Sequence, residues 1–387
     1  MNKFCFFAGL LFIHFNSEIF SGNNSNEEVF HQAQLNYSDS ITIIAKPDKI
    51  YIEKDLNNQY LNFDFVLENK SSENLILNAI EVSVFDEKNK LARRDFVNLY
   101  SRENLDLFNF NKIKPNRRKL IYNPFPVFDK SIPLARLQYE FSFNSEKENK
   151  KYTYSIDVFP QVYHTKTNLI LPIKGRLLVW DGHDYSSHHR RLDYTDSFLI
   201  KRGWTMNFQR YGYDLVVVDE NGTMYKGQPK FNIDWYDDQP DDNNDYYGFG
   251  IPVYATGDGV VADARDGNPD NRKFDEAELA KNEKAYGGNY IIIDHLNGEY
   301  SWFGHLKQGS VKVKKGQKVK QGEIIGAMGA SGSSLFPHLH YELRNGDGAK
   351  YVEGLPSYFS NFTRVLGSRK LVIKRGLINS GDIIESK

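Results

Sequence analysis

Two histidines separated by one residue are the most chemically suggestive feature of the 387-residue chain. They lie in the segment Pro337-His-Leu-His-Tyr-Glu-Leu343, whose pattern predicts a β-strand. Because successive side chains of a strand point to opposite faces, His338 and His340 share one face while Leu339 points into the core. Two imidazoles on one face can both bind one metal ion, or one can bind it while the other contacts its water. Such a pair also occurs in surface and structural roles, so its meaning depends on the residues around it.

Further glycine-rich segments accompany this pair in a fixed order along the chain. They are Arg210-Tyr-Gly-Tyr-Asp214, residues 250–261, Gly304-His-Leu306, residues 311–326 and Gly329-Ala-Ser-Gly332. With the His-x-His strand, this ordered set resembles the lysostaphin-type zinc metallopeptidases, which cut peptide bonds in bacterial cell-wall peptidoglycan. The resemblance covers about residues 203–345. Biotinyl and lipoyl carrier domains share the Val/Gly turns, but they display a lysine at a hairpin tip, and Ala327-Met-Gly-Ala330 offers none.

The resemblance implies roles for four residues of this chain. Asp214 and His340 match two metal ligands of the family, while His305 and His338 match its two catalytic histidines. The implied cofactor is Zn²⁺, which lowers the pKa of bound water towards ~7 and polarises the scissile carbonyl. His305 and His338 would then orient that water, move its proton and stabilise the tetrahedral oxyanion.

Arg210 departs from the family pattern. In the family, a histidine four residues before the aspartate is the first metal ligand, and here that position is Arg210. A guanidinium stays protonated and has no free lone pair, so it cannot bind zinc. Either another residue supplies the third ligand or the site no longer holds a metal. Arg210 itself could hold a substrate carboxylate bidentately, which suits the free carboxylates of peptidoglycan stem peptides.

A histidine-rich segment upstream could supply the third ligand. Residues 180–191 contain His183, His188 and His189 among turn-forming residues. We predict that this loop places one imidazole beside Asp214, with His189 ahead of His188 and His183. Two other interpretations stay open, namely a solvated surface loop and a loop that binds an anionic group of the ligand.

The elements that position these residues are predicted to be mainly β-strands, in two domains. Apolar residues alternate with mostly polar ones over 61–67, 137–143 and 152–158. Several such strands separated by polar turns favour an immunoglobulin-like β-sandwich over residues 38–160. From residue 165 glycines, histidines and acidic turns accumulate, so a lysostaphin-type β domain is expected over 165–350. Residues 351–387 are expected to form a C-terminal extension.

The N-terminus and the overall charge indicate where the protein acts and on what. Lys3, an apolar stretch over residues 4–15 and the small residues Ser21 and Gly22 predict a signal peptide over residues 1–22. No later stretch is apolar enough for a membrane span, which needs ~20 residues. The 49 Lys and Arg nearly balance the 50 Asp and Glu, so nothing suggests a nucleic acid partner. The single cysteine excludes an intrachain disulfide framework.

These observations favour one function and leave one alternative. The favoured function is an exported zinc metalloendopeptidase of the periplasm or cell exterior that hydrolyses peptide bonds in peptidoglycan. The alternative, suggested by the missing first histidine, is a non-catalytic cell-wall-binding or regulatory protein with a degenerate metallopeptidase domain. The zinc content of the purified protein separates the two. The sequence points to no protein partner.

Overall fold

The structure, a computed structural model, describes residues 40–99, 111–147, 150–227 and 239–386. The signal peptide expected over residues 1–22 lies outside these residues. Within them the chain is mainly β, as its sequence predicts. None of the helices in the described ranges has the length and apolar character that a membrane span requires.

Strands are the main regular structure of the described residues. The first twelve are β1 (Ile41–Lys46), β2 (Tyr51–Lys54), β3 (Asn58–Leu61), β4 (Asp64–Asn69), β5 (Leu75–Phe85), β6 (Leu91–Asn98), β7 (Lys112–Ile113), β8 (Arg117–Tyr122), β9 (Val127–Asp129), β10 (Arg136–Ser145), β11 (Lys151–Val158) and β12 (Gln161–Val162). The others are β13 (Leu169–Ile170), β14 (Gly175–Asp181), β15 (Tyr213–Val217), β16 (Pro252–Tyr254), β17 (Gly259–Arg265), β18 (Asn289–Asp294), β19 (Tyr300–Leu306), β20 (Lys318–Val319), β21 (Ile324–Ala327), β22 (Leu339–Arg344), β23 (Gly354–Leu355), β24 (Phe359–Leu366), β25 (Arg369–Gly376) and β26 (Ile383–Ser386).

Within the described residues, the α-helices are α1 (Ser197–Ile200) and α2 (Glu276–Lys281), and two single-turn 3₁₀ helices span Asn243–Asp245 and Ala285–Gly287. The carboxylate of Asp275 accepts hydrogen bonds from two backbone amides in the first turn of α2, and Asp196 caps α1 in the same way through one amide. These caps satisfy amides that have no partner inside a helix.

The chain divides into two compact units that interleave along the sequence. The first spans 40–49, 65–124 and 133–159, and the second spans 50–64, 125–132 and 160–386. The continuous boundaries expected at 38–160 and 165–350 differ from this division. The reason is that β2, β3 and β9 form a sheet with β12, in the order β12-β2-β3-β9, and all four strands belong to the second unit.

The first unit contains two sheets, with strand orders β1-β4-β8 and β11-β10-β5-β6, and β7 pairs with β5. The period-two pattern of the sequence is confirmed most clearly in β10, where Leu137, Tyr139, Phe141 and Phe143 are all fully buried. These side chains share one face because residues two apart on a strand point the same way. The immunoglobulin-like class of this unit stays a prediction.

The main sheet of the second unit has twelve strands. Their order is β13-β24-β26-β14-β15-β22-β19-β18-β17-β20, while β23 pairs with β22 and β25 with β24. Strands β23–β26 are therefore part of this sheet, and β26 pairs directly with β14. The C-terminal extension expected over residues 351–387 thus contributes strands to the main sheet of this unit.

Four central strands align polar residues across the main sheet. Asp181 on β14 lies opposite Asp214 on β15, and Asp214 lies opposite His340 on β22. His340 in turn lies opposite Gly304 on β19, one residue before His305. The neighbours of His340 on β22, Leu339 and Tyr341, are fully buried in the core on the other face. The alternation predicted for the His-x-His segment is thus observed, and it brings residues far apart in sequence into one row.

Candidate metal centre

Three potential metal donors converge on one point of the sheet. The Nδ1 atom of His340 lies 2.9 Å from Oδ1 of Asp214 and 3.1 Å from Nε2 of His189. The Nε2 atom of His189 lies 3.4 Å from the same Asp214 oxygen. All three side chains are at most 4% exposed. The structure therefore brings together the two ligands implied by the resemblance and the loop histidine predicted to replace the missing one.

Outer partners orient both imidazoles of this group. The Nδ1 atom of His189 lies 3.3 Å from the carbonyl oxygen of Gly182 and 3.1 Å from a carboxylate oxygen of Asp181. The Nε2 atom of His340 contacts the carboxylate of Glu342, which also accepts a hydrogen bond from Arg344. Because these outer atoms only accept hydrogen bonds, each ring carries its proton on the outer nitrogen. The lone pairs of the inner nitrogens then point at Asp214.

This arrangement fits a zinc ion. Three acceptors separated by 2.9–3.4 Å repel one another unless a proton or a metal cation lies among them. Burial disfavours a charged His189, but the carboxylates of Asp214 and Asp181 outweigh it and raise the pKa of His189 well above its usual value. Zinc bonds of 2.0–2.1 Å in tetrahedral geometry place ligand atoms about 3.3 Å apart, close to these separations. Two imidazoles and one carboxylate are also a donor set that zinc prefers.

His305 and His338 border the three donors. The Nε2 atom of His338 lies 3.4 Å from Oδ1 of Asp214, and the rings of His305 and His338 are 4.7 Å apart between centroids. The ring of His305 lies 5.8 Å from that of His340. Hence all five residues implied or predicted to form the active centre, including His189, lie in one cluster of the second unit.

Backbone carbonyls fix the orientation of these two rings. The Nδ1 atom of His305 donates to the carbonyl of Ser331 at 2.8 Å, and that of His338 donates to the carbonyl of Phe336 at 2.8 Å. In the neutral ring the Nε2 atom is therefore the acceptor. Burial, followed by repulsion from His338 and His340, lowers the pKa of His305 well below its usual value. His305 is thus held as a neutral imidazole with an available lone pair.

The backbone of His305 is itself unusual, because its φ angle is +58° at the end of β19. A non-glycine residue adopts this left-handed conformation at an energetic cost, and such residues cluster at functional sites. The preceding Gly304 lies against the ring of Trp302, since a Cβ atom there would lie 2.4 Å from that ring. Trp302 in turn packs edge-on against His340 at 5.5 Å between ring centroids. Only glycine fits beneath this tryptophan without displacing it.

Arg210 does not occupy the position that was expected of it. Its guanidinium is fully buried, with Nη1 donating to Asp64 at 2.7 Å and Nε donating to Glu353. The expectation that Arg210 holds a substrate carboxylate is therefore wrong. A side chain with no exposed surface and two carboxylate partners in its own chain cannot also reach a substrate.

The two other histidines of the loop are placed differently from His189. His183 is buried with its Nδ1 atom 3.3 Å from a carboxylate oxygen of Glu53, and it belongs to neither group of converging metal donors found among the described residues. His188 is about half exposed, and its Nδ1 atom lies 2.7 Å from Asp181. Its Nε2 atom lies 3.7 Å from the second oxygen of Asp214. His188 thus lies at the exposed edge of the centre, whereas His189 lies inside it.

Sequence reasoning missed Glu342 and Asp181, the carboxylates that contact the outer nitrogens of His340 and His189. A signal for Glu342 was available, because it is two residues after His340 and so shares its strand face. Asp181 offered no comparable signal, since its pairing with Asp214 depends on the register of β14 and β15.

The substitution Glu342→Gln is expected to weaken zinc binding without removing a ligand. The neutral amide keeps the shape of the buried side chain but loses the charge that polarises His340, and it leaves Arg344 without a counter-charge. Outer partners of this kind contribute about tenfold to a hundredfold to metal affinity. Competition with a chromophoric chelator measures the zinc Kd, and an unchanged value would contradict this role of Glu342.

Known proteins are similar to the part of the chain that contains three histidines of this centre. Residues 246–352 match the model of Peptidase family M23. This range includes His305, His338 and His340 and begins after Arg210 and Asp214. Among solved structures, the catalytic domain of the antimicrobial peptidase lysostaphin from Staphylococcus simulans is 25% identical, over 30% of this chain and 80% of that one, with a TM-score of 0.21.

Curated relatives match a segment of similar length. Peptidoglycan DD-endopeptidase ShyA of Vibrio cholerae is 40% identical over 94 residues, which are 24% of this chain and 17% of ShyA. Cell division protein DipM of Caulobacter vibrioides is 36% identical over 95 residues, 24% of this chain and 13% of DipM. The alignments thus span less than a fifth of either relative. The family match and the histidine cluster agree, so residues 246–352 are identified as part of a domain of peptidase family M23, the lysostaphin-type metallopeptidases.

Proposed function

We propose that this protein is an exported zinc metalloendopeptidase that hydrolyses peptide bonds in bacterial peptidoglycan. The observation that carries the proposal is the convergence of His189, Asp214 and His340 beside His305 and His338, with the outer nitrogen of each ring already bonded. Relatives named as peptidoglycan DD-endopeptidases support the substrate class. Export rests on the leader pattern of residues 1–22.

The residues of the centre divide the work of hydrolysis between them. A bound Zn²⁺ would polarise the scissile carbonyl and activate a water molecule for attack on it. Neutral His305 accepts the proton of that water at Nε2 and returns it to the nitrogen of the leaving amine, so that the C–N bond breaks. His338, whose Nε2 atom faces the same point, stabilises the oxyanion that develops on the carbonyl oxygen. His189, Asp214 and His340 would hold the metal.

The purified chain without residues 1–22 is expected to bind one zinc per molecule and to cleave isolated peptidoglycan. Metal content by mass spectrometry gives the stoichiometry, and mass spectrometry of the soluble fragments identifies newly formed amine and carboxyl ends. A chelator should abolish cleavage, and added zinc should restore it. If the protein binds peptidoglycan yet takes up no zinc at saturating concentration, it is the non-catalytic cell-wall-binding protein instead.

A further inference from the structure

A buried network of opposite charges includes the residue that follows His189. The carboxylate of Asp64 accepts a hydrogen bond from Arg190 through one oxygen and from Arg210 through the other. None of these three side chains is more than 1% exposed. Arg210 also donates to Glu353, whose side chain is 6% exposed. Two guanidinium groups thus balance two carboxylates inside the second unit.

Further hydrogen bonds beside this network fix the backbone of Arg190 and of His189, which precedes it. Arg190 donates through Nη2 to the carbonyl of Phe63 at 2.6 Å. The side-chain amide of Asn207 donates to the carbonyls of His189 at 3.0 Å and Arg190 at 3.2 Å. The backbone amide of His189 donates to Ser187 Oγ at 3.1 Å. Every polar backbone atom of His189 is therefore held.

The backbone segment that contains Arg210 also lies next to His189. The side-chain amide of Asn62 donates to the carbonyls of His183 at 3.2 Å and Arg210 at 2.9 Å, which joins the start of the loop to the turn before β15. Gly212 lies in that turn, and a Cβ atom there would lie 3.2 Å from the ring of His189. The turn that contains Arg210 thus forms one wall of the space occupied by the His189 ring.

We propose that Arg190 and Arg210, joined by Asp64, are positioning residues that hold His189 in place as the third zinc ligand. The inference deepens the proposed function and depends on it. In this chain the arginine at the first-ligand position of the family is part of the support for the ligand that replaces it. The two departures from the family pattern, Arg210 and His189, are consequently coupled.

The coupling follows from the energetics of buried charge and from the precision of metal sites. Removing one member of a buried ion pair leaves its partner charged and without compensation, which is strongly unfavourable. The surrounding backbone then relaxes, and donor atoms must stay within about 0.5 Å of the productive geometry to bind a metal well.

The substitution Arg210→His therefore weakens zinc binding, because an imidazole is too short to pair with both Asp64 and Glu353. Without the coupling, Arg210→His would add a ligand and strengthen zinc binding.

The test compares the zinc Kd of the full chain and its variants by chelator competition. Arg190→Met is expected to raise the Kd about tenfold to a hundredfold, as for other partners that orient a ligand. Arg210→His is expected to raise it as well. Arg190→Lys keeps the buried positive charge but not the second hydrogen bond, so its Kd is expected to lie between those of wild type and Arg190→Met. If Arg190→Met does not fold, the zinc Kd of Arg190→Lys is compared with that of wild type instead. Cobalt substitution adds a readout of ligand geometry, because the visible absorption changes when His189 leaves its position.

A matched control separates positioning from general loss of stability. Arg364 is likewise buried between two carboxylates, Asp55 and Asp382, but contacts no residue of the centre. Arg364→Met should lower the melting temperature and leave the zinc Kd and the cobalt spectrum unchanged. If Arg190→Lys and Arg190→Met bind zinc as the Arg364 variant does, or if Arg210→His binds zinc more tightly than wild type, the inference is overturned. A wild-type protein that binds no zinc overturns the proposed function together with it.

Discussion

Zinc binding is expected to be lost to the same extent in His189→Ala as in His340→Ala. Both rings present a lone pair to the point that Asp214 occupies, and both are oriented by an outer acceptor. Four-ligand zinc sites bind with about 10–16 kcal/mol, so one ligand contributes on the order of 3 kcal/mol, or about a hundredfold in Kd. Metal analysis after dialysis and chelator competition together measure the effect.

Two control variants, at His295 and at His188, test whether the loss of zinc binding is specific to His189. His295→Ala removes another buried imidazole, whose two nitrogens lie 2.8 Å from the Asp258 carbonyl oxygen and the Ser301 hydroxyl, and it should leave the zinc Kd unchanged. His188→Ala removes the half-exposed ring at the edge of the centre and should have a much smaller effect than His189→Ala. If the order of His188 and His189 were reversed, the third ligand would be His188, and the support described for His189 would have no role in metal binding.

The fold class could be predicted from local patterns, whereas the division of the chain could not. Period-two alternation is a property of each strand alone, so the buried face of β10 is visible in the sequence. Which sheet a strand joins depends on pairing with distant residues. The strands β2, β3 and β9 lie within the sequence range assigned to the first domain, yet they pair with β12 in the second unit. Nothing in their composition distinguishes them from their neighbours.

The centre was predictable to the extent that its residues belong to motifs. His338 and His340 share a strand face by alternation alone, and the ordered segments around them carry Asp214 and His305. His189 was a prediction from composition, since a turn-rich loop with three histidines was the available source of a third ligand. The sequence could not distinguish the three by burial. The structure does so, because His183 pairs with Glu53 and His188 remains half exposed.

Arg210 illustrates what sequence reasoning lacks. Its chemistry excluded it as a ligand correctly, but an arginine in a substrate cleft and an arginine in a buried ion pair look the same in a sequence. The decisive partner, Asp64, lies 146 residues away in a segment read as part of another domain. Because a buried guanidinium requires a counter-charge, its position is set by partners that only the folded chain reveals.

Peptidoglycan hydrolysis is expected to fall about a hundredfold to ten-thousandfold in His305→Asn and in His338→Ala, while one zinc remains bound per chain. Neither ring belongs to the three converging donors, but both present Nε2 beside them. Asparagine is chosen at position 305 because it tolerates the left-handed backbone angle there, yet its amide cannot accept a proton.

The combination of retained zinc and lost turnover identifies His305 and His338 as catalytic residues rather than ligands. Release of soluble fragments from peptidoglycan gives the rate, and metal analysis of the same samples gives the stoichiometry. The two losses should not add in the double variant, because both rings act in the same chemical step. Loss of zinc from His305→Asn would instead make His305 a ligand, and full activity of His338→Ala would remove His338 from the reaction. His295→Ala, which alters a buried histidine outside the centre, should keep both its zinc and its activity.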